Sequence, residues 1–242
     1  MRLLWILLSL RAGPLEVRVV NAWPDGGAQK VRTWASTDAG RVLVKEQYFY
    51  TTGEPWSEFT WGDGGLRRTW DTQGFPSGET PVNREGVAEG LSRKFQRDGG
   101  LVALGSFANG KELGEWKTWF ENGQLSAVRV FAPAGVLQSE TTWVEAGWKQ
   151  TERTPALRLE FGPDGGLERR MTSDGRYDTF HEGRLIEQRR ATPSGETLVI
   201  NSWDADGGFE IRNGAGTRIE YDGELGTPHR VYYRGGKRVS PR

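Results

Sequence analysis

Gly114-Glu115-Trp116-Lys117-Thr118-Trp119-Phe120-Glu121-Asn122-Gly123-Gln124-Leu125 decides how the rest of this chain is read. It is a short aromatic strand that runs into an Asn-Gly turn and leaves on a leucine. Asn and Gly take positive φ most readily, so the segment is expected to be a β-hairpin closed by a two-residue type I′ turn at Asn122-Gly123. The pleat of a strand puts Trp116 and Phe120 on one face and Trp119 on the other, so both faces carry aromatic rings.

Much of the chain restates this stretch. Gly90–Leu101 overlays Gly114–Leu125 without a gap at an offset of 24 residues, with Phe95 on Trp119, Gly99 on Gly123 and Leu101 on Leu125. Beyond the turn, Phe107 meets Phe131 and Leu113 meets Leu137, so one repeat is two strands and two turns. Further copies of the turn stand at Asp63-Gly64, Asp164-Gly165, Glu182-Gly183, Asp206-Gly207 and Asp222-Gly223, and return turns at Asn109-Gly110, Asp174-Gly175 and Asn213-Gly214. Trp119, Phe161 and Trp203 each lie four residues before a turn glycine, and those glycines are spaced by 42.

Turn signals this frequent, with aromatic and β-branched residues between them, imply an all-β chain. Only 36% of the 242 residues are hydrophobic, while 34 are Gly and 11 are Trp, which favours a thin structure over a compact core. The expected fold is an elongated, twisted antiparallel sheet of serial β-hairpin repeats, in which each hairpin is stabilised by stacking on the next. Residues 14–242 read as one repeat domain, clearest over 90–137. Residues 1–13, with Arg2 followed by the apolar run Leu3–Leu8, read as a signal peptide, implying export to the periplasm or medium; a buried N-terminal strand in a cytoplasmic protein is the alternative. Gly74–Asn83 reads as an inserted loop and Trp143–Pro155 as an irregular connection.

The pattern G-x-W-x-x-W/F-x-x-N/D-G-x-L, strongest over Gly90–Leu137 and recognisable at Phe161–Leu167 and Trp203–Phe209, resembles the variant MORN repeat (membrane occupation and recognition nexus) of bacterial antitoxin-module-like proteins. The resemblance implies serial hairpins in an extended sheet that acts as a scaffold or binding surface, and it offers neutralisation of a toxin or effector as a further role.

Few residues point to chemistry. Acidic and basic residues balance at 32 each, so no global field draws the chain to nucleic acid, and no nucleic-acid partner is expected. With no Cys and only His181 and His229, neither of them in metal-ligand spacing, no catalytic residue, metal or cofactor is expected, and the chain reads as a non-enzyme. Asp204-Ala205-Asp206-Gly207 lacks the ligand pattern of a calcium loop and reads as a turn. The pairs Arg67-Arg68, Arg169-Arg170 and Arg189-Arg190 would put one arginine on each face, either ion-paired with Glu160, Glu168 and Glu187 or lining an anion-binding stripe. The candidate binding surface is therefore Phe95, Trp116, Trp119, Phe120, Phe161 and Trp203 with Arg169 and Arg189. A protein partner is the leading expectation, and a glycan or membrane headgroup is the alternative.

Overall fold

The computed structural model describes residues 14–61, 64–222 and 227–240. The signal-peptide reading of residues 1–13 lies outside them. The described residues contain strands and turns and no helix. They fall into two compact units, divided after Gly123 except that Ala132–Gly135 belongs to the first and Gln124–Phe131 to the second.

The first unit carries β1 (Leu15–Ala22), β2 (Ala28–Thr37), β3 (Gly40–Phe49), β4 (Pro55–Thr60), β5 (Gly65–Trp70), β6 (Pro76–Val82), β7 (Gly90–Phe95), β8 (Leu101–Ala108) and β9 (Lys111–Trp119). Each pairs antiparallel with the next. β10 (Leu125–Ala132) follows. The second unit continues with β11 (Val136–Trp143), β12 (Lys149–Arg153), β13 (Leu157–Phe161), β14 (Leu167–Thr172), β15 (Arg176–His181), β16 (Arg184–Ala191), β17 (Thr197–Trp203), β18 (Phe209–Arg212), β19 (Ala215–Asp222), β20 (Thr227–Arg234) and β21 (Lys237–Val239). From β11 to β21 the strands again pair in sequence order. The all-β architecture of serial antiparallel hairpins is thus the observed one.

The turn chemistry differs from the expectation. Asn122 does not adopt positive φ; only Gly123 does, at 80°. Gly123 N–H donates to Phe120 C=O at 3.0 Å, so the turn runs from Phe120 to Gly123 and Asn122 takes an ordinary backbone conformation inside it. The same arrangement recurs as a complete five-residue loop at Gln96–Gly100, where Gln96 N–H donates to Gly100 C=O at 2.7 Å and Gly99 N–H to Gln96 C=O at 3.0 Å. It recurs again at Gly162–Gly166 and Asp204–Gly208. This is a type I turn followed by a left-handed glycine that forms a G1 bulge. True two-residue type I′ turns close other hairpins, at Asn109-Gly110 (φ 50° and 76°), Glu182-Gly183 (49° and 75°) and Asn213-Gly214 (51° and 77°).

The acidic residues of the loops act locally. Asp98 and Asp164 each accept the N–H of the residue two places on, Gly100 and Gly166, at 2.9 Å. Asp71 accepts from Gln73 at 2.8 Å and Phe75 at 3.1 Å, and Asp204 from Gly208 at 2.7 Å. Carboxylates at these positions satisfy amide groups that the bulge leaves unpaired.

Two other expectations are corrected. Gly74–Asn83 is not an inserted loop: Pro76–Val82 is strand β6, paired with β5 from Gly65↔Val82 to Trp70↔Pro76. Trp143–Pro155 is not irregular either. Val144–Trp148 is one more five-residue loop, with Val144 N–H to Trp148 C=O at 3.1 Å, and Lys149–Arg153 is β12, paired on both sides. Gly147 lies 24 residues after Gly123, so Phe95, Trp119 and Trp143 keep one spacing.

The burial pattern of the first unit is set by register. Ser57 pairs with Thr69 and Thr69 with Gly78; two residues along the strands, Ser92 pairs with Gly105. Ser57, Thr80, Ser92, Ala103 and Trp116 are buried, small side chains leaving space for one large ring. Ser92 and Thr80 satisfy each other by a 2.8 Å hydroxyl hydrogen bond. The opposite face bears the charged row Glu58↔Arg68↔Glu79↔Arg93.

Trp116 lies flat on Gly105: a Cβ there would stand 2.0 Å from Trp116 Cδ2. At Gly123 the constraint is φ alone, since nothing lies within 4 Å of its Cβ position. Gly105→Ala is therefore expected to destabilise the protein by about 3 kcal/mol. Gly123→Ala is expected to cost about 1–2 kcal/mol. Chemical denaturation of the two variants checks the order.

Candidate functional site

The aromatics that precede the loop glycines sit where each hairpin opens. Lys94↔Ala103 is followed by Phe95↔Leu101, Glu160↔Arg169 by Phe161↔Leu167, and Ser202↔Ile211 by Trp203↔Phe209, a one-residue register shift each time. The motif's aromatic and its apolar residue six positions later are therefore direct cross-strand partners. Trp203 and Phe209 show the contact, with ring centroids 5.1 Å apart.

The structure distributes the candidate residues among different roles. Trp116 is buried, with only 6% of its surface exposed, and packs edge to face against Phe107 at 4.8 Å; its indole N–H donates to Ser106 C=O at 3.0 Å. It is an internal support and offers no binding face. Phe120 enters the loop, where its carbonyl accepts from Gln96 Nε2 at 2.9 Å. Lys149 Nζ stands 4.1 Å from the centroid of Phe161. No ring contact joins Phe161 to Trp203 among the described residues.

Phe95 and Trp119 come together. With Phe75, Arg97, Asp98 and Glu121 they line a cleft of about 650 Å³ on the first unit. Phe75 is 45% exposed. Arg97 lies over its ring, 5.8 Å from the centroid, and is held there by Asp71 at 2.8 Å. Burial opposes ionisation of Asp71, but the amides of Gln73 and Phe75 and the Arg97 guanidinium hold its carboxyl below the usual range. Such a cleft can stack against a planar or aliphatic group and pair with charge at its rim. Phe75, Asp71 and Arg97 are not among the residues that the sequence singles out. The signal for them is the four-residue spacing from Trp70 to Gly74, the same as from Trp119 to Gly123, which the surrounding prolines obscure.

The candidate arginines of the second unit are ion-paired. Arg169 meets Glu160 at 3.0 Å across β13 and β14, and Arg189 meets Glu187 at 2.5 Å along β16. Glu168 takes no part in these pairs. Burial opposes the charge of Arg218, yet its bridge to Glu220 and Glu187 holds it more firmly protonated than a free arginine. Arg176 and Arg190 stand directly opposite each other, a like-charge pair relieved by Asp178 and Asp174. No group of three or more His, Asp or Glu side chains arranged to hold a metal ion occurs among the described residues.

Asp178 is the most buried acid among the described residues, with a fully covered side chain. It accepts from Arg170 at 2.5 and 2.8 Å, Arg176 at 3.0 Å and Gln188 at 3.1 Å. Burial favours the neutral acid, but these donors outweigh it and depress the pKa. A depressed folded-state pKa contributes stability that is complete above the unfolded value of about 4 and is lost as pH falls through the folded value. Asp178→Asn is therefore expected to lower stability by roughly 2–3 kcal/mol at neutral pH. Its deficit relative to wild type should shrink as pH drops below about 4, as thermal unfolding across pH would show.

No family model and no curated protein matches the chain. Among solved structures that match is one titled "Crystal Structure of TcdB2-TccC3-TEV", at 11% identity and a TM-score of 0.24. The alignment covers 90% of this chain and 15% of that one, so the chain spans a small fraction of its length.

Proposed function

We propose that the protein is a non-enzymatic binding scaffold of MORN-like hairpin repeats, whose cleft on the first unit receives a segment of another protein. The observation that carries this reading is the convergence of Phe75, Phe95 and Trp119 on one cleft of about 650 Å³, with Phe75 left substantially open. Large, partly exposed rings with a charged rim are the usual anchors of protein recognition. Asp98 and Glu121 stand at the rim beside the neutralised Arg97–Asp71 pair, which makes the rim acidic. The fitting segment presents an aliphatic or aromatic side chain next to a basic one.

A glycan is the second reading, favoured by the open ring of Phe75, on which a sugar face could stack. Export, inferred from residues 1–13, would suit either ligand.

The test uses the full chain as bait in its native extract, beside Phe75→Ala and Glu121→Lys variants that retain the wild-type circular dichroism. A protein recovered by wild type and depleted about tenfold or more by each variant is the expected result. Recovery that ignores both substitutions would refute the cleft as the site. Binding that depends on Phe75 but is found only on a polysaccharide array would move the assignment to the glycan.

A further inference from the structure

β1 breaks the pattern of the other strands. Leu15, Val17 and Val19 are 62%, 64% and 59% exposed, and Val20 on the opposite face is 42% exposed. β1 pairs with β2 along one edge, from Leu15↔Ala35 to Ala22↔Ala28, and no strand among the described residues pairs with its other edge. An eight-residue apolar strand with an open row of backbone donors and acceptors is a template for another strand. β21, by contrast, has the usual protection of an edge, three residues of which two are Lys237 and Arg238.

The order of residues in β1 selects its partner. Leu15-Glu16-Val17-Arg18-Val19 reads apolar, acid, apolar, base, apolar, and so is complementary to its own reverse. Antiparallel pairing with a second copy, centred on Val17, sets Val17 against Val17, Leu15 against Val19, and Glu16 against Arg18 twice over. Directly opposed residues of an antiparallel pair share a face, so the apolar stripe would continue across the junction on one side and the two ion pairs on the other.

Within its own chain Arg18 lacks such a neighbour. It stands directly opposite Arg32, which is itself committed to Glu46 at 2.6 Å, and its carboxylate contact is Glu16 two residues away on the same strand. Glu16 is shared with Arg41 at 2.6 Å. The side chain of Arg18 remains 62% exposed on the open edge.

We propose that β1 is a self-association site at which two copies of the chain join edge to edge in antiparallel register about Val17, related by a two-fold axis. A symmetric junction of this kind closes on itself and stops at two. It involves few residues, well below the roughly 800 Å² per partner of a standard interface, so the dimer should be weak, with a dissociation constant on the order of 100 µM.

Sedimentation equilibrium of the full chain from about 10 µM to 1 mM is expected to show a reversible monomer–dimer equilibrium. Glu16→Lys would oppose Lys to Arg18, and Arg18→Glu would oppose Glu to Glu16. Each alone should weaken the dimer about tenfold or more, while an equimolar mixture of the two variants should recover it as a heterodimer. Hydrogen exchange of wild type supplies a readout that needs no substitution: protection of the β1 amides should rise with protein concentration. A monomer throughout the range would overturn the proposal, as would a dimer indifferent to both substitutions. So would β1 protection that does not depend on concentration, which would mean that another part of the same chain covers the edge.

Discussion

The structure depends on the left-handed glycine that closes each five-residue loop. A type I turn alone splays two strands apart, because its twist opposes theirs. The added bulge residue restores the match, at Gly123 as at Gly99 and Gly165, and it does so only with a backbone that L side chains avoid. The one-residue register shift that accompanies the bulge brings the aromatic before the loop opposite the apolar residue after it. Phe95 with Leu101, Phe161 with Leu167 and Trp203 with Phe209 are therefore consequences of the turn as much as of hydrophobicity. Hairpins that would be marginal in isolation gain a packed contact where they would otherwise fray.

Charge supplies order where apolar burial is scarce. Few side chains are buried among the described residues, and several of them are polar: Glu46, Asp178 and Glu187 among the acids. Each is surrounded by donors. Burial disfavours the charge of Glu46, but the Tyr48 hydroxyl at 2.5 Å, Arg32 at 2.6 Å and Lys30 at 3.0 Å outweigh that cost and keep its pKa low. A covered acid with several partners orders the strands that supply those partners, here β2 and β3, just as Asp178 orders β14, β15 and β16.

The fold class was legible in the sequence because Gly, aromatic and leucine recur at fixed spacing from Phe95 to Leu125. The turn type was not. Asn122-Gly123 and Asn109-Gly110 are the same dipeptide, yet only the second has both residues at positive φ. Loop length decides between them, and loop length depends on register, which a dipeptide does not carry. Pro76 and Pro81 hid β6, since proline opposes a strand wherever its amide is needed. The aromatic-to-glycine spacing at Trp70–Gly74 and Trp143–Gly147 contradicted both misreadings and was the better guide. For the cleft, Phe95 and Trp119 were visible and Phe75 was not, because it lies outside the repeat's aromatic position. Trp116 could not be distinguished from an exposed ring, since what makes room for it is the missing side chain of Gly105 on the neighbouring strand β8. No feature of its own hairpin motif announces that vacancy.

The one-residue shift at every bulge also governs how such a chain can change length. A single residue inserted into or deleted from a strand would turn all residues beyond it to the other face, sending Glu58 and Arg68 inward and Ser57 and Thr69 outward. A bulge offsets that parity at the loops, where a glycine holds the extra residue, and at a few positions within strands, as between Thr33 and Trp34 of β2 and between Gln188 and Arg189 of β16. The molecule can therefore lengthen or shorten by whole hairpins, and by a single residue only where a bulge takes it up. The 24-residue step from Gly99 to Gly123 to Gly147 is one such module, and the 18-residue step from Gly147 to Gly165 is the same pair of strands made shorter.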